Sequence, residues 1–238
     1  MRTLILAAAC ALLSACATYT TPAAGVSIAS ISEKDANIAD AFTREAAATF
    51  PARIAIARVA SSGYSSPTNH GFGQGRFSVL TIRDVEPEAA FQRIQAMPQV
   101  AAVATLSRIL LPDNLQSIRD LRVSAAQLKA DMLLVYSIDT GFRTETNQIG
   151  PLQTVALGML STHKSFATST CSFAIIDVRT GYVYGTGETT ATEDQRSNIW
   201  GSADAIDKAR QRAEAKAFDT SIGEVEKLWV SVVLEHRH

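Results

Sequence analysis

Hydrophobic positions along the chain switch between two spacings, and each switch marks an element. ARIAIARVA, 52–60, sets Ile54, Ile56 and Arg58 on one side and Arg53, Ala55, Ala57 and Val59 on the other. A spacing of two with so many apolar residues predicts a buried strand. FSVLTIR, 77–83, and VAAVATLSRIL, 100–110, read as further strands. DMLLVYSIDT, 131–140, is the most continuously apolar short run, as a central strand should be. SFATSTCSFAIIDV and YVYGTGETTAT flank RTG, where Gly181 suits the positive-φ position of a hairpin turn.

Spacings of three and four fall between these runs. SEKD, Ser32–Asp35, has the helix-start pattern of a hydroxyl followed by an acid three residues on. Ile38, Ala41, Phe42, Glu45 and Thr49 then predict a helix near 33–49, stopped by Pro51. Asp84, Glu86 and Pro87 read as a second helix start, because acids suit the first turn and proline the first position. Ala90, Phe91, Ile94 and Met97 form its apolar face, and Pro98 ends it. A third helix near 115–130 puts Ile118, Leu121, Ala125 and Leu128 on one side, with Arg119, Arg122 and Lys129 elsewhere. A fourth, near 202–230, shows a small-residue face of Ile206, Ala209, Ala213 and Ala217, which lets a helix approach a sheet closely. Residues 61–75 read as a loop by their Gly, Ser, Pro and Asn content, and 141–164 as a long connection. The order α, β, β, α, β, α, β, connection, β, β, α predicts an α/β (α+β) layered domain, a mixed β-sheet with helices packed on it.

The first residues follow a different logic. Arg2 is followed by an apolar run from Leu4 to Leu13, then Ser14, Ala15 and Cys16. A positive start, a short apolar stretch and a small-residue end make a secretory signal, since a membrane span needs roughly 20 apolar residues. LSAC, Leu13–Cys16, resembles the lipobox of bacterial lipoproteins. That resemblance implies cleavage before Cys16 and acylation of its sulfur and new amine. By resemblance to the sorting rule of Gram-negative lipoproteins, Ala17 in place of an aspartate implies the outer membrane, with the protein on its periplasmic face. Several acyl chains on one residue anchor far more firmly than one. Cys10 fits less well, because AAAC puts Ala7 where the lipobox has leucine. Residues 1–15 are thus expected to be a signal peptide. Residues 16–31, rich in Thr, Ala, Ser and Pro, are expected to be the lipidated cysteine and its tether, and 32–238 a single α/β periplasmic domain.

Composition adds limits. With 22 basic against 23 acidic residues and no run of like charge, nothing marks a nucleic-acid partner. Removal of Cys10 and acylation of Cys16 leave Cys171 alone, so no intramolecular disulfide forms, and Cys171 reads as a small core residue.

Three pieces in this order, ARIAIARV, DMLLVYSIDT and SFATSTCSFAIIDVRTGYVYGTG, resemble the rhombotarget-type bacterial lipoproteins. More distantly they are similar to envelope lipoproteins with a curli-secretion-channel-like or penicillin-binding-protein-activator-like domain. The likeness covers about residues 50–190. It departs after DMLLVYSIDT, where that family carries an aromatic-rich tract and this chain has PLQTVALGMLS. It implies a fold and an envelope location, with no catalytic residues to carry across.

Candidate chemistry is sparse. His70, His163, His236 and His238 match no zinc spacing, so neither metal nor cofactor is expected. GFGQG, Gly71–Gly75, lacks the lysine of a phosphate loop and reads as a flexible tip between strands. Ser61, Ser62, Ser65 and Ser66 share a loop with His70, but none has the nucleophile-elbow context. Asp139 and Asp177 fall near the ends of two strands that could be neighbours; such residues cap turns more often than they catalyse. Within 149–160, Leu152, Val155, Ala156, Met159 and Leu160 form an apolar helical stripe. It reads either as a short helix covering the sheet or as an exposed surface for self-association or membrane contact. The expected protein is a non-enzymatic, membrane-anchored binding or assembly module that meets another envelope protein or itself. The alternative is an oligomerising subunit of a secretion or transport assembly.

Overall fold

The two-sided apolar pattern of 52–60 becomes the spine of the sheet. The computed structural model describes residues 24–31, 38–146, 163–197 and 202–237. Its strands are β1 (Ala52–Ser61), β2 (Gln74–Gly75), β3 (Phe77–Leu80), β4 (Val100–Thr105), β5 (Asn114–Leu115), β6 (Met132–Thr146), β7 (His163–Asp177) and β8 (Val183–Ser197). Six form one mixed sheet in the order β3-β1-β6-β7-β8, with β4 also paired to β1. β1 runs parallel to β6, Ile56 opposite Leu134, and parallel to β4, Ile54 opposite Val103. The β6–β7 and β7–β8 pairs are antiparallel, with Tyr136 opposite Phe173 and Thr170 opposite Thr190.

Helices cover both faces, so the domain is a layered α/β fold with a mixed sheet. They are α1 (Ile28–Ile31), α2 (Ile38–Thr43), α3 (Glu88–Gln95), α4 (Ile118–Gln127) and α5 (Ser202–His236). On one face Ile54, Leu134, Phe173 and Ile175 pack against Phe218, Ile222 and Trp229 of α5 and Phe91 of α3. On the other, Ala57, Leu133, Val135 and Ile176 meet Leu121 and Ala125 of α4 and Ile31 of α1. Ala209, Ala213 and Ala217 are fully buried, as their small face predicts. Gly181 stands at φ +74° in the β7–β8 turn, again as expected. No helix among the described residues is long and apolar enough to cross a membrane.

Several expectations are revised. Residues 24–31, assigned to the tether by composition, lie packed on the sheet: Ile31 is buried, and Val26 and Ile28 pack beside it. Their apolar side chains outweigh the surrounding Ser and Ala. Within the expected 33–49 helix, only 38–43 is helical among the described residues, and it exposes Ile38 and Phe42. The alanines beyond it run non-helically. The N–H of Ala47 donates to Asp177 Oδ2 (2.8 Å) and that of Ala48 to the Tyr184 hydroxyl (3.2 Å). Pro87 precedes α3 rather than opening it, and β4 gives way at Arg108–Leu110 to a single 3-10 turn. Residues 141–146 continue β6, and 163–164 already belong to β7, so the long connection is shorter than its composition implied.

Candidate functional site

Alternation in SFATSTCS and GTGETTAT puts hydroxyls on one side of two paired strands and core residues on the other. Thr168 pairs with Thr192 (2.9 Å between hydroxyls) and Thr170 with Thr190 (3.0 Å), while Ser172 Oγ donates to Glu188 Oε2 (3.0 Å). Ala167, Cys171 and Phe173 point the other way, into the cores beneath α5. Asp139 of β6, opposite Thr170, extends the hydroxyl face by one strand. Residues 25–29 cross this face. The Gly25 N–H donates to Asp139 Oδ1 (3.2 Å), and a Cβ on Gly25 would lie only 2.9 Å from the Ile138 carbonyl oxygen, so only glycine fits that approach. Between 25–29 and the sheet lies an open cleft of about 660 Å³, lined by Ser137, Asp139, Thr170, Ser172, Thr186 and Glu188. Two carboxylates and several hydroxyls line it, with no lysine or arginine among the described residues, so it favours a partner that presents hydrogen-bond donors.

Behind the opposite face sits a buried ion cluster. The Arg58 guanidinium donates to Glu86 Oε1 (2.9 Å), Asp84 Oδ1 (3.2 Å) and Glu214 Oε2 (3.0 Å). Arg210, fully buried on α5, donates to Glu214 Oε1 (3.0 Å) and Asp207 Oδ1 (2.9 Å). Burial works against the charge on Arg58, but Glu86 and Glu214 override it and raise its pKa well above the ordinary value. The Tyr136 hydroxyl donates to Glu86 Oε1 (2.9 Å), and burial with that carboxylate's charge pushes the phenol well up. Thr140 Oγ1 donates to Glu214 Oε1 (3.2 Å) and shares a hydrogen bond with Ser169 Oγ (2.9 Å). The cluster therefore ties β1, the 84–86 segment and α5 to the point where β6 and β7 continue beyond the core. Asp84 and Glu86, expected to favour a helix start, serve Arg58 instead, because a buried cation needs carboxylates more than a helix end does.

The expected site residues fare unevenly. Cys16, Leu152, Val155, Ala156, Met159 and Leu160 lie outside the described residues. Ser65 Oγ and His70 Nδ1 are 2.9 Å apart on an exposed turn, and no carboxylate reaches that histidine among the described residues. The GFGQG glycines are packed, not a free tip. Gly73 (φ +91°) and Gly75 (φ +114°) lie against Leu115, where the two-residue β2 pairs with β5. Asp139 and Asp177 stand apart, since Asp177 pairs with Met132 at the other end of the hairpin. The Cys171 thiol is buried, pushed up to about 11 by that burial against the help of Ser221, and is inert packing.

Asp177 caps the β7–β8 turn. Its Oδ1 accepts the N–H groups of Arg179 (2.8 Å) and Thr180 (3.0 Å), and its Oδ2 accepts Ala47 N–H (2.8 Å) and Tyr184 O–H (2.8 Å). Burial opposes its charge, but these donors, Thr180 and Ala47 foremost, hold its pKa below the usual value. Stability from this group is present above its unfolded pKa of roughly 3.9 and is lost as pH falls through the lower folded value. Asp177→Asn turns an amide donor toward the Ala47 N–H. It is expected to cost about 3 kcal/mol at neutral pH. The difference from wild type should shrink as pH falls through the folded value; a urea series in which it stays constant down to strong acid would refute the assignment.

Sequence reasoning missed both the hydroxyl face and the ion cluster. The first had a signal in the period-two threonines of SFATSTCS and GTGETTAT. The second had one in Arg58, which falls in phase with Ile54 and Ile56 in a buried strand.

No family model and no curated protein matches the chain. Solved structures with a similar layout include a DUF330 protein from Xanthomonas campestris (12% identity, 89% of this chain and 97% of that one, TM-score 0.37). A PelC dodecamer from Paraburkholderia phytofirmans is similar at 14% identity over 78% and 92%, TM-score 0.33. Lipoprotein GNA1162 from Neisseria meningitidis is similar at 11% over 76% and 99%, TM-score 0.30. With TM-scores under 0.4, these likenesses assign neither a family nor an activity.

Proposed function

We propose that the chain is a lipoprotein held through Cys16 in the outer membrane of a Gram-negative bacterium. Its α/β domain acts on the periplasmic side as a non-enzymatic binding or assembly module, and its proposed family is the rhombotarget type it resembles. The observation that carries this reading is the hydroxyl face of β7 and β8 with its acidic cleft, located where the chain coming from Cys16 reaches the sheet. A rigid sheet face of alternating acceptors and donors recognises a polar envelope partner without chemistry of its own. Cys16→Ser is expected to abolish palmitate incorporation and move the protein to the soluble fraction; retained palmitate would refute the anchor. A photo-crosslinking residue at Thr190 is expected to give a discrete envelope adduct, with none from Lys227, exposed on α5 across the other face of the sheet. Turnover of an envelope substrate by purified protein, abolished by one substitution, would overturn the module.

One observation favours the second reading, an oligomerising subunit. β8 ends the sheet, and among the described residues no strand pairs with its outer edge along Val183–Ser197. Mass measurement of detergent-extracted, acylated protein tests this: a ring-sized species supports it and a strict monomer overturns it.

A further inference from the structure

We propose that the hydroxyl face of β6, β7 and β8 is a groove for a saccharide chain built of neutral or amino sugars. The proposal rests on the binding-module reading above and deepens it by naming the class of ligand.

The face continues beyond the core. β1 stops at Ser61, while β6, parallel to it with Val59 opposite Ser137, runs on to Thr146. Beyond Asp139 the strands β6, β7 and β8 form an arm, and rows of side chains cross its hydroxyl face. Asp139, Thr170 and Thr190 make one row, and Gly141, Thr168 and Thr192 the next. The cleft beneath residues 25–29 opens onto the first row. A second hollow of about 440 Å³ lies over the next, bounded by Gly141, Thr168, Thr192 and the Phe166–Arg143 pair. Gly141 makes room for it, since nothing lies within 4 Å of where a Cβ on that residue would stand. From Ser172 to Phe166 the two hollows follow one strand for about 20 Å at the usual rise per residue. Two hollows in line along a strand suit a chain molecule better than a compact one.

The lining selects the chemistry of that chain. Each threonine pair, Thr168 with Thr192 and Thr170 with Thr190, spends one hydroxyl proton on its own hydrogen bond and keeps the other. Such a pair both donates and accepts, which matches a ligand whose own groups are hydroxyls. Phe166 adds an aromatic ring, with the Arg143 guanidinium 4.9 Å from its centroid. A pyranose carries the two matching surfaces, a C–H face for the ring and a hydroxyl rim for the threonines. A protein partner fits less well. Protein interfaces are anchored by several buried aromatic or aliphatic side chains, and among the described residues the arm's hydroxyl face offers Phe166 alone. Charge narrows the class further. Asp139, Glu188 and Asp194 against Arg143 leave this face acidic among its described residues, which disfavours an anionic polymer and suits neutral sugars or their amines.

The test titrates the full-length protein in detergent with chitotetraose and with its fully N-acetylated form, read by calorimetry, with tetragalacturonate as the anionic control. Both sugars are expected to bind and the control is not; failure of both sugars, or equal binding of the control, overturns the proposal. Gly141→Val puts a side chain into the second hollow, where its Cβ meets nothing within 4 Å, and a β-branched residue suits a strand, so the fold is retained. It is expected to weaken sugar binding several-fold at an unchanged unfolding midpoint, while Lys227→Ala on the other face of the sheet changes nothing. Binding that Gly141→Val leaves intact overturns the site. If neither sugar binds while the crosslinker at Thr190 still traps an envelope partner, the saccharide class falls and the binding-module reading stands. If neither sugar binds and Thr190 traps nothing, both fall.

Discussion

Arg58→Leu is expected to destabilise the domain by about 4 kcal/mol, the range for removing one partner of a buried ion pair. The reason is what remains. Asp84, Glu86 and Glu214 all turn oxygens toward the Arg58 guanidinium, and the side chains of Arg58, Glu86 and Glu214 are at most 4% exposed. Leucine leaves Glu86 with the Tyr136 hydroxyl and Asp84 with Thr68 and Asn69, neutral donors that cannot offset a charge held away from water. Glu214 keeps Arg210, so the loss should fall most heavily on the 84–86 segment and its contact with β1. A double substitution sharpens the test. Arg58→Leu with Glu86→Gln removes a charge of each sign, and it is expected to be more stable than Arg58→Leu alone although it changes more residues. Urea unfolding followed by tryptophan fluorescence reads both. A loss in the range of an exposed pair, about 1 kcal/mol or less, would show that the cluster is not a buried network.

The cluster also marks the limit of what the sequence makes legible. Strand β1 can be read from 52–60 because burial on both faces writes a local pattern, and the β7–β8 turn can be read because Gly181 needs its positive φ within three residues. Arg58 and its carboxylates are separated by 26, 28 and 156 positions, and only the completed fold brings them together. Asp84 and Glu86 carried a local reading as helix-start acids that was sound in itself and lost to a stronger distant demand. The arm was hidden for another reason. GFRTET, 141–146, carries one apolar side chain, so periodicity has little to register there; β6 continues because it pairs residue for residue with β7 and gains cross-strand contacts such as Arg143 on Phe166. The hydroxyl face was legible in principle, since threonine at every second position is a strand with one polar side, but it had to be read as a surface and not only as a strand.

Helix α5 shows the same division and supports the second large effect, Trp229→Ala, expected to cost about 4 kcal/mol. Its first half approaches the sheet through Ala209, Ala213 and Ala217, which the small-residue spacing foretold. Its second half changes character and buries Phe218, Ile222, Val225, Trp229 and Val232 over β6, β7 and the end of α3. Trp229 is fully buried, its ring centroid 5.8 Å from that of Phe50, and its indole N–H donates to the Pro98 carbonyl (2.7 Å). It therefore closes the space between α5, the residues after α3 and the chain entering β1. Alanine there leaves a cavity that the helix cannot close, because its first half is already held at close approach by the alanines and by Arg210. Trp229→Phe separates the two contributions: it keeps most of the ring and deletes the donor to Pro98, and is expected to cost about 1–2 kcal/mol. Calorimetric unfolding of the two variants decides between packing and hydrogen bonding. If phenylalanine costs as much as alanine, the indole N–H and not the ring volume holds this end of the helix on the sheet.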